Sequence, residues 1–231
     1  MLANEQLEIV QRLIVAAKYK DNDTMQHVVR VGRYAHALYH QLGAPCERCG
    51  MMYYAAQLHD IGKIGIPDQI LGKPGSLTQM EFAIVKQHSE IGAQILGGSQ
   101  SKVLQMAESV ALSHHECWDG SGYPFGLSGK DIPLEARVVQ LADVYDALRT
   151  ERPYKAAFNH DQAVSIILEG DGRTNPGQFD PALLEILRGN NQVLAEIFGS
   201  IGEVTLPIPE ATCLYIQAEK PGFGAYRQQG S

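Results

Sequence analysis

Cysteines, tryptophans and long apolar runs are all scarce in this sequence. The 231 residues include only four cysteines and one tryptophan. Four scattered cysteines do not make a disulfide framework, which favours a reducing compartment. No apolar run approaches the roughly 20 residues that a transmembrane helix needs, and the polar, acidic first residues do not resemble a secretory signal. The sequence therefore predicts a cytoplasmic protein without a membrane segment.

An excess of positive charge is also missing. The chain has 26 acidic residues against 19 basic ones, which gives a formal net charge of -7. Surfaces that wrap a nucleic acid polymer are normally basic, so such a partner is not expected. A small phosphate ligand remains compatible with this charge, because a few well-placed cations in a pocket suffice.

The sequence shows no internal repeat, no low-complexity tract and no sustained alternation of apolar and polar residues. Only short strand-like patterns occur, near Val204 and Tyr215. Elsewhere apolar residues recur at helical spacing, which predicts an all-α protein. We expect an N-terminal helix within residues 1–20, a main domain at 21–189 and a C-terminal tail of uncertain structure at 190–231.

Several local signals divide the main domain. A helix is predicted from about Glu47 to Ile61. Thr78, followed three residues later by Glu81, is a capping-box pattern that opens a helix extending to about Leu96. Asp180 and Pro181 open the last clear helix. The glycine- and proline-rich stretch 118–133 is predicted to be a long ordered loop, and such loops are often functional.

The first helix carries an apolar stripe that needs a packing partner. Leu7, Val10, Ile14 and Ala17 recur at helical spacing. The stripe can pack on the core of this chain, on a second subunit or on an upstream domain, and the sequence leaves all three open.

Histidine and aspartate occupy unusual positions along the main domain. His59 and Asp60 are adjacent, His114 and His115 are adjacent, and Asp143 lies in a strongly apolar helix. Imidazole and carboxylate together suit divalent iron, manganese or zinc. A carboxylate can bridge two cations, and two cations about 3.5–4 Å apart can activate water and polarise a phosphodiester. Spacing alone leaves a metal site and ordinary packing as alternatives.

The ordered motifs resemble the HD-GYP family of phosphodiesterases. Residues 58–68 read LHDIGKIGIPD, residues 114–124 read HHECWDGSGYP, and LADVYDAL and RPYK follow at 141–148 and 152–155. The resemblance extends from about Asp21 to Leu187. It implies an all-α HD-domain helical bundle with the HD-GYP extension, and residues 21–189 then form the catalytic domain.

The resemblance also implies a centre with two or three divalent metal ions. Iron is the preferred metal, followed by manganese and then zinc. Asp23 lies one turn before His27, at a position where some members hold a third metal with a glutamate. Aspartate is shorter, and a helix-capping role for Asp23 remains open. Seven residues fall on the family's ligand positions: His27, His59, Asp60, His88, His114, His115 and Asp143.

Further residues match the family's substrate contacts. Lys63 is expected to neutralise charge on the scissile phosphate, although a solvated lysine at a helix end is the alternative. The substrate pocket would be shaped by Gly122, Tyr123 and Pro124, with the Tyr123 ring against a guanine. Asp146 is expected to orient a ligand or Lys63. Phosphate contacts are assigned to Arg152 and Lys155.

The function implied is hydrolysis of cyclic di-GMP to pGpG, and further to GMP, which lowers this second messenger in bacterial signalling. Asp60 and Lys63 are the expected catalytic residues. Two alternatives remain: a cyclic-dinucleotide sensor or protein-interaction module with little turnover, and a phosphodiesterase for another cyclic dinucleotide. Expected partners are a second copy bound through the first helix, an upstream receiver or sensory domain, or a diguanylate cyclase.

Overall fold

Eleven α-helices make up most of the described part of the chain, which comprises residues 4–20, 25–151 and 156–200 of this computed structural model. Within the same residues, 3₁₀ helices occupy Ile61–Gly65, Gly129–Asp131 and Pro176–Gln178, and no β-strand occurs. The predicted all-α class is confirmed. The segments near Val204 and Tyr215 lie outside the described residues. The α-helices are α1 (Asn4–Lys18), α2 (Met25–Gln41), α3 (Cys46–Ala56), α4 (Asp68–Leu71), α5 (Gln79–Lys86), α6 (His88–Leu96), α7 (Lys102–Ser113), α8 (Leu134–Arg149), α9 (His160–Glu169), α10 (Pro181–Gly189) and α11 (Gln192–Ser200).

Helices α2, α3, α7 and α8 enclose the hydrophobic core. Helix α2 packs on α3 and α8, and α7 packs on the same two helices. Tyr34, Tyr53 and Tyr145 are fully buried among them, and the Tyr34 and Tyr145 rings meet edge to face with centroids 5.2 Å apart. Burial of such large side chains is the main force that holds a bundle together. The four helices form a rigid frame for side chains on α2 and α8. No helix in the described ranges is both long and apolar enough to cross a membrane.

The apolar stripe of α1 packs on the chain itself. Val10 and Ile14 are buried, and α1 lies against the 3₁₀ helix Ile61–Gly65. Ile9, on another side of the helix, remains 55% exposed. Of the three partners that the sequence left open, the core accounts for the stripe. A homodimer through this helix remains a prediction.

Two predicted helix starts are confirmed by their capping contacts. The Glu81 backbone N–H donates to Thr78 Oγ1 at 3.2 Å, and the Thr78 N–H donates to Glu81 Oε2 at 2.8 Å. This is the reciprocal capping box expected from the sequence. Asp180 caps α10 with its side chain alone, because its Oδ1 accepts the Ala182 N–H at 2.8 Å.

The predicted helix from Glu47 to Ile61 is too long. Helix α3 ends at Ala56, and the chain continues through a turn, residues 57–60, into the 3₁₀ helix Ile61–Gly65. His59 Nδ1 donates to the Ala56 carbonyl at 2.8 Å. The same carbonyl accepts the His59 backbone N–H at 3.3 Å, a bond of the 3₁₀ type, so the chain leaves the α-helix where the histidine ring folds back on it. We call residues 57–60 the HD turn.

The single helix predicted from Thr78 to Leu96 is wrong for a similar reason. Helices α5 and α6 are separate and meet at Gln87. His88 Nδ1 donates to the Val85 carbonyl at 2.7 Å, so this ring too folds back over the last turn of the preceding helix. The spacing of apolar residues does not reveal the break between α5 and α6, because that spacing is helical on both sides of it.

Helix α11 occupies part of the tail to which the sequence assigned no structure. It packs on α2, with Leu194 buried and Val193 and Ile197 against the core. The Phe198 ring lies beneath the guanidinium groups of Arg30 and Arg149, at 5.0 and 4.2 Å. The main bundle therefore extends at least to residue 200.

Gly62 allows the 3₁₀ helix Ile61–Gly65 to lie directly on the first turn of α6. A Cβ at this position would lie 1.8 Å from the His88 carbonyl oxygen and 2.4 Å from the Gly92 nitrogen. Both neighbours are backbone atoms that cannot turn away. Only glycine fits, and this contact holds the HD turn beside His88.

We expect Gly62→Ala to destabilise the protein by about 1–3 kcal/mol, because the added methyl group overpacks a backbone contact. Gly50→Ala is the matched control, since a Cβ there meets no atom within 4 Å; removing a helical glycine should stabilise by about 0.5–1 kcal/mol. Urea unfolding curves measure both changes. A Gly62→Ala protein as stable as the wild type would show that this contact can relax.

Candidate metal centre

The seven predicted ligand residues lie together in two adjoining groups. The Asp60 group contains Asp60, His88, His114 and His115, and the His27 group contains His27, His59 and Asp143. Within each group, one ligand atom from every residue lies within 4.8 Å of the others. His59 and Asp60 are consecutive, so the HD turn contributes to both groups. Residues from five separate parts of the chain thus meet at one site.

Each ligand residue occupies a well-defined position in the bundle. His27 is in α2 and Asp143 is in α8, while the adjacent pair His114–His115 directly follows α7. His88 is the first residue of α6. The closest approaches are 3.1 Å for His59 Nε2–Asp60 Oδ2, 3.2 Å for His88 Nε2–Asp60 Oδ1 and 3.6 Å for His27 Nε2–Asp143 Oδ1.

Hydrogen bonds at Nδ1 orient four of the five rings. His59 and His88 donate to backbone carbonyls as described above, and His114 Nδ1 lies 3.1 Å from the carbonyls of Val110 and Ala111. His27 Nδ1 lies 2.8 Å from an Asp146 carboxylate oxygen. Carbonyl and carboxylate oxygens only accept, so the ring hydrogen is on Nδ1. In the neutral ring, Nε2 then presents a lone pair to the site.

Several buried atoms fit a divalent cation. His88 Nε2 and His114 Nε2 lie 3.4 Å apart, and with both hydrogens on Nδ1 two lone pairs face each other. Asp60 Oδ1 is also buried and makes no hydrogen bond within the described ranges. Leaving such atoms unsatisfied is costly, and a cation would satisfy them. Imidazole and carboxylate are donors that iron, manganese and zinc accept.

Burial keeps two of the rings in the form that binds a cation. Burial first, and repulsion from His114 second, lower the pKa of His88 to about 4. The same two causes hold the pKa of His115 well below its usual value. Coordination requires a neutral imidazole, so neither ring has to lose a proton at neutral pH.

In the HD turn, by contrast, neighbouring charges outweigh burial in setting the pKa values. Burial lowers the pKa of His59, but Asp60 and Asp143 outweigh it and raise the pKa to about 9. Burial raises the pKa of Asp60, but His59 and Lys63 outweigh it and hold this pKa well below its usual range. His59 therefore keeps a proton in the metal-free protein, and a bound cation would displace it.

Asp146 is completely buried and contacts two residues of α2. Besides the contact with His27, its carboxylate accepts from Arg30 Nε at 2.5 Å and Arg30 Nη2 at 2.8 Å. Burial raises the pKa of Asp146, but hydrogen bonds from Arg30 and His27 lower it below its usual value. Asp146 therefore binds the Nδ1 side of the His27 ring, while Nε2 faces the site. The sequence analysis missed Arg30, although His27 and Arg30 share one helical face just as Asp143 and Asp146 do.

Lys63 belongs to the same site. Its Nζ lies 2.7 Å from Asp60 Oδ2, and its side chain is 19% exposed. Of the two roles considered from the sequence, a solvated lysine at a helix end does not agree with this position. The ammonium group lies where it can meet an anionic ligand of the Asp60 group.

The Gly122-Tyr123-Pro124 segment lies against the histidine pair. A Cβ at Gly122 would lie 2.3 Å from the Cys117 nitrogen and 2.4 Å from the His115 carbonyl oxygen. The Tyr123 N–H donates to that carbonyl at 3.1 Å, and the rings of Tyr123 and His115 stack with centroids 4.6 Å apart. The Tyr123–Pro124 peptide bond is cis. The absence of a side chain at Gly122 is what brings Tyr123 this close.

Glu116 fixes the loop that carries this segment. The side chain is fully buried, and its two oxygens accept the N–H groups of Phe125 and Leu127 at 2.8 and 2.9 Å. Trp118 anchors the start of the loop, since its backbone N–H donates to the Gln178 carbonyl at 2.8 Å. The sequence analysis gave Glu116 no role; its place beside the histidine pair was the available signal. The predicted site residues Asp23, Arg152 and Lys155 lie outside the described residues.

Comparisons with known proteins agree on the kind of domain. The HD domain family model matches residues 8–183. A cyclic di-GMP phosphodiesterase of Vibrio cholerae is 45% identical over 186 residues, which cover 75% of this chain and 37% of that protein. The 3′3′-cGAMP-specific phosphodiesterase 2 of the same organism is 41% identical, with 78% of this chain and 34% of that protein covered. This chain therefore spans well under half the length of both relatives.

A solved structure shows the same arrangement of helices. Bd1817, an HDG"Y"P protein from Bdellovibrio bacteriovorus, superposes with a TM-score of 0.53 at 26% identity. The matched region covers 71% of this chain and 52% of that chain.

Proposed function

Since this chain belongs to the HD-domain family, and within it to the HD-GYP proteins, we propose that it is a metal-dependent phosphodiesterase that hydrolyses cyclic di-GMP. The product would be linear pGpG, with further cleavage to GMP. One observation carries the proposal: the Asp60 group and the His27 group adjoin within a single site, next to a lysine and an aromatic ring that suit a nucleotide phosphate and base.

The donor set supports a centre with two divalent cations. His88, His114, His115 and Asp60 would hold one, His27, His59 and Asp143 would hold the other, and Asp60 would bridge them. Bound cations would supply activated water and neutralise charge on the phosphodiester. A third cation would require Asp23.

The remaining side chains would bind and position the substrate. Lys63 would donate to a non-bridging oxygen of the scissile phosphate and stabilise the charge that builds there. Tyr123, with Gly122 and Pro124, would offer a ring face to one guanine. Arg152 and Lys155 would complete the phosphate contacts, where the planar fork of arginine suits paired oxygens.

Iron is the metal that we propose, followed by manganese and then zinc. Imidazole and carboxylate suit all three, so the donor set alone does not separate them. Cys46, Cys49 and Cys117 are free thiols, which agrees with a reducing cytoplasm where iron remains ferrous.

A phosphodiesterase for another cyclic dinucleotide is the second candidate. It is favoured by the 3′3′-cGAMP specificity named for one relative that is 41% identical to this chain. The two substrates differ in one base, so the contacts of the base edge would decide between them.

Turnover of cyclic di-GMP tests the proposed function directly. The protein is loaded with ferrous iron or manganese under anaerobic, reducing conditions, and products are separated by liquid chromatography. We expect pGpG to accumulate, and a chelator to stop the reaction until the metal is restored. Faster turnover of 3′3′-cGAMP would favour the second candidate. Tight binding of cyclic di-GMP without any product would instead indicate a sensor.

A further inference from the structure

Helix α5 forms a wall beside Tyr123 that none of the roles above explains. No residue of α5 is buried, and Phe82 is 46% exposed, so this aromatic ring is not held by the core. The rings of Phe82 and Tyr123 meet edge to face with centroids 6.3 Å apart. Two aromatic rings therefore line a surface next to the stacked His115.

A lysine covers both rings. Lys86 Nζ lies 5.0 Å from the centre of the Phe82 ring and 4.8 Å from that of Tyr123. It forms no ion pair with a carboxylate in the part of the chain that the structure describes. In a protein with a net charge of -7, this half-buried ammonium group contacts ring faces and no carboxylate of the described residues, and a ring face attracts a cation by about 0.5–2 kcal/mol. It is available to an anion.

This wall is joined to the metal centre through the backbone. The Val85 carbonyl that orients His88 belongs to the last turn of α5, one residue before Lys86. Tyr123 stacks on His115, a member of the Asp60 group. Lys86 and Phe82 are thus held at a fixed distance from the cations that would bind there.

We propose that Phe82, Lys86 and Tyr123 form a subsite for the half of a cyclic dinucleotide that is not being cut. The inference rests on the proposed function and extends it. A cyclic dinucleotide carries two bases and two phosphates, and the metal centre with Lys63 accounts for one phosphate. The exposed Phe82 ring and the neighbouring Tyr123 ring would stack on a base. The Lys86 ammonium would leave the rings to donate to the second phosphate, which offers a stronger, charge-assisted hydrogen bond.

The test compares two substrates. Cyclic di-GMP can fill the subsite, whereas bis(p-nitrophenyl) phosphate has neither a second phosphate nor a nucleobase. We measure the ratio of kcat/KM for cyclic di-GMP to kcat/KM for bis(p-nitrophenyl) phosphate. For Lys86→Met, and separately for Phe82→Leu, we expect this ratio to fall by about tenfold, the scale of one charged or stacking contact. The fall should come from KM for cyclic di-GMP, and Lys86→Arg should recover most of it. Metal content should remain that of the wild type.

Matched controls separate a local effect from a general one. Lys102→Met removes an exposed lysine at the start of α7, about 18 Å along that helix from His114, and Met80→Ala removes an exposed apolar side chain of α5 itself. Neither should change the ratio. An unchanged ratio in both Lys86→Met and Phe82→Leu would overturn the subsite while leaving the proposed function intact.

Failure of the proposed function would be visible in the wild type alone, as cleavage of bis(p-nitrophenyl) phosphate without any cleavage of cyclic di-GMP. The subsite is then judged by equilibrium binding of cyclic di-GMP to the metal-loaded protein. Weaker binding by Lys86→Met than by Lys102→Met would support it. Equal binding by these two variants, or no binding by the wild type, would overturn it.

Discussion

Asp60→Asn is expected to remove nearly all phosphodiesterase activity and to lower the bound metal. Asp60 Oδ1 lies 3.2 Å from His88 Nε2 and 3.6 Å from His114 Nε2, while Oδ2 lies 3.1 Å from His59 Nε2. This carboxylate is the point where the two ligand groups meet. Asparagine is neutral and offers one oxygen, so it cannot bridge two cations. A loss of several kcal/mol of transition-state stabilisation corresponds to a fall in kcat/KM of at least about 1,000-fold.

Elemental analysis and turnover are measured together on the same preparations. Asp68→Asn is the control, because Asp68 follows in the same motif but its side chain is 83% exposed and pairs with Lys20 at the surface. It should retain wild-type metal content and activity. An Asp60→Asn protein with full activity would rule out a mechanism centred on this carboxylate.

Arg30→Met is expected to destabilise the fold by about 3–5 kcal/mol, because it leaves the buried Asp146 carboxylate without its main partner. Asp146 is 0% exposed, and Arg30 donates to both of its oxygens. Methionine fills much of the same volume but donates nothing. We also expect metal affinity to fall by about 10–100-fold, since Asp146 orients the His27 ring.

Thermal unfolding and metal titration measure these two effects separately. Arg188→Met is the matched control, because Arg188 pairs with Glu185 on the surface, and such pairs contribute about 0–1 kcal/mol. The double variant Arg30→Met with Asp146→Asn removes the charge as well as its partner, so it should be more stable than Arg30→Met alone. If Arg30→Met unfolds like the wild type, the buried pair does not stabilise the fold.

The class of the fold and the composition of the site could be predicted from the sequence because each depends on local pattern. Helical spacing identified the bundle, and the capping signals at Thr78 and Asp180 gave helix starts that the structure confirms. Five of the seven predicted ligands occur in short motifs, and the family resemblance added His27 and His88. The structure brings all seven together, although their role as ligands remains a proposal. The order of the motifs along the chain was enough to associate residues that are far apart in sequence.

Some of the missed features are local and others depend on long-range contacts. Helix α3 ends at Ala56, where the His59 ring folds back onto the Ala56 carbonyl three residues away, and apolar spacing does not show this. Arg30 and Asp146 are 116 positions apart, so their pairing follows only from the packing of α2 on α8. In the sequence, Lys86 resembles an ordinary lysine at a helix end, because its contact with Tyr123 depends on how the loop packs against α5.

The hydrogen bonds at Nδ1 also determine at which step the histidine side chains lose their conformational entropy. His27, His59, His88 and His114 each have one ring nitrogen tied to the protein itself. Fixing a side chain in one rotamer costs free energy, and here that cost falls on folding, before any ion arrives. Capture of an ion then requires little further ordering of these rings, in the same way that a rigid chelator binds more tightly than a flexible one with identical donor atoms.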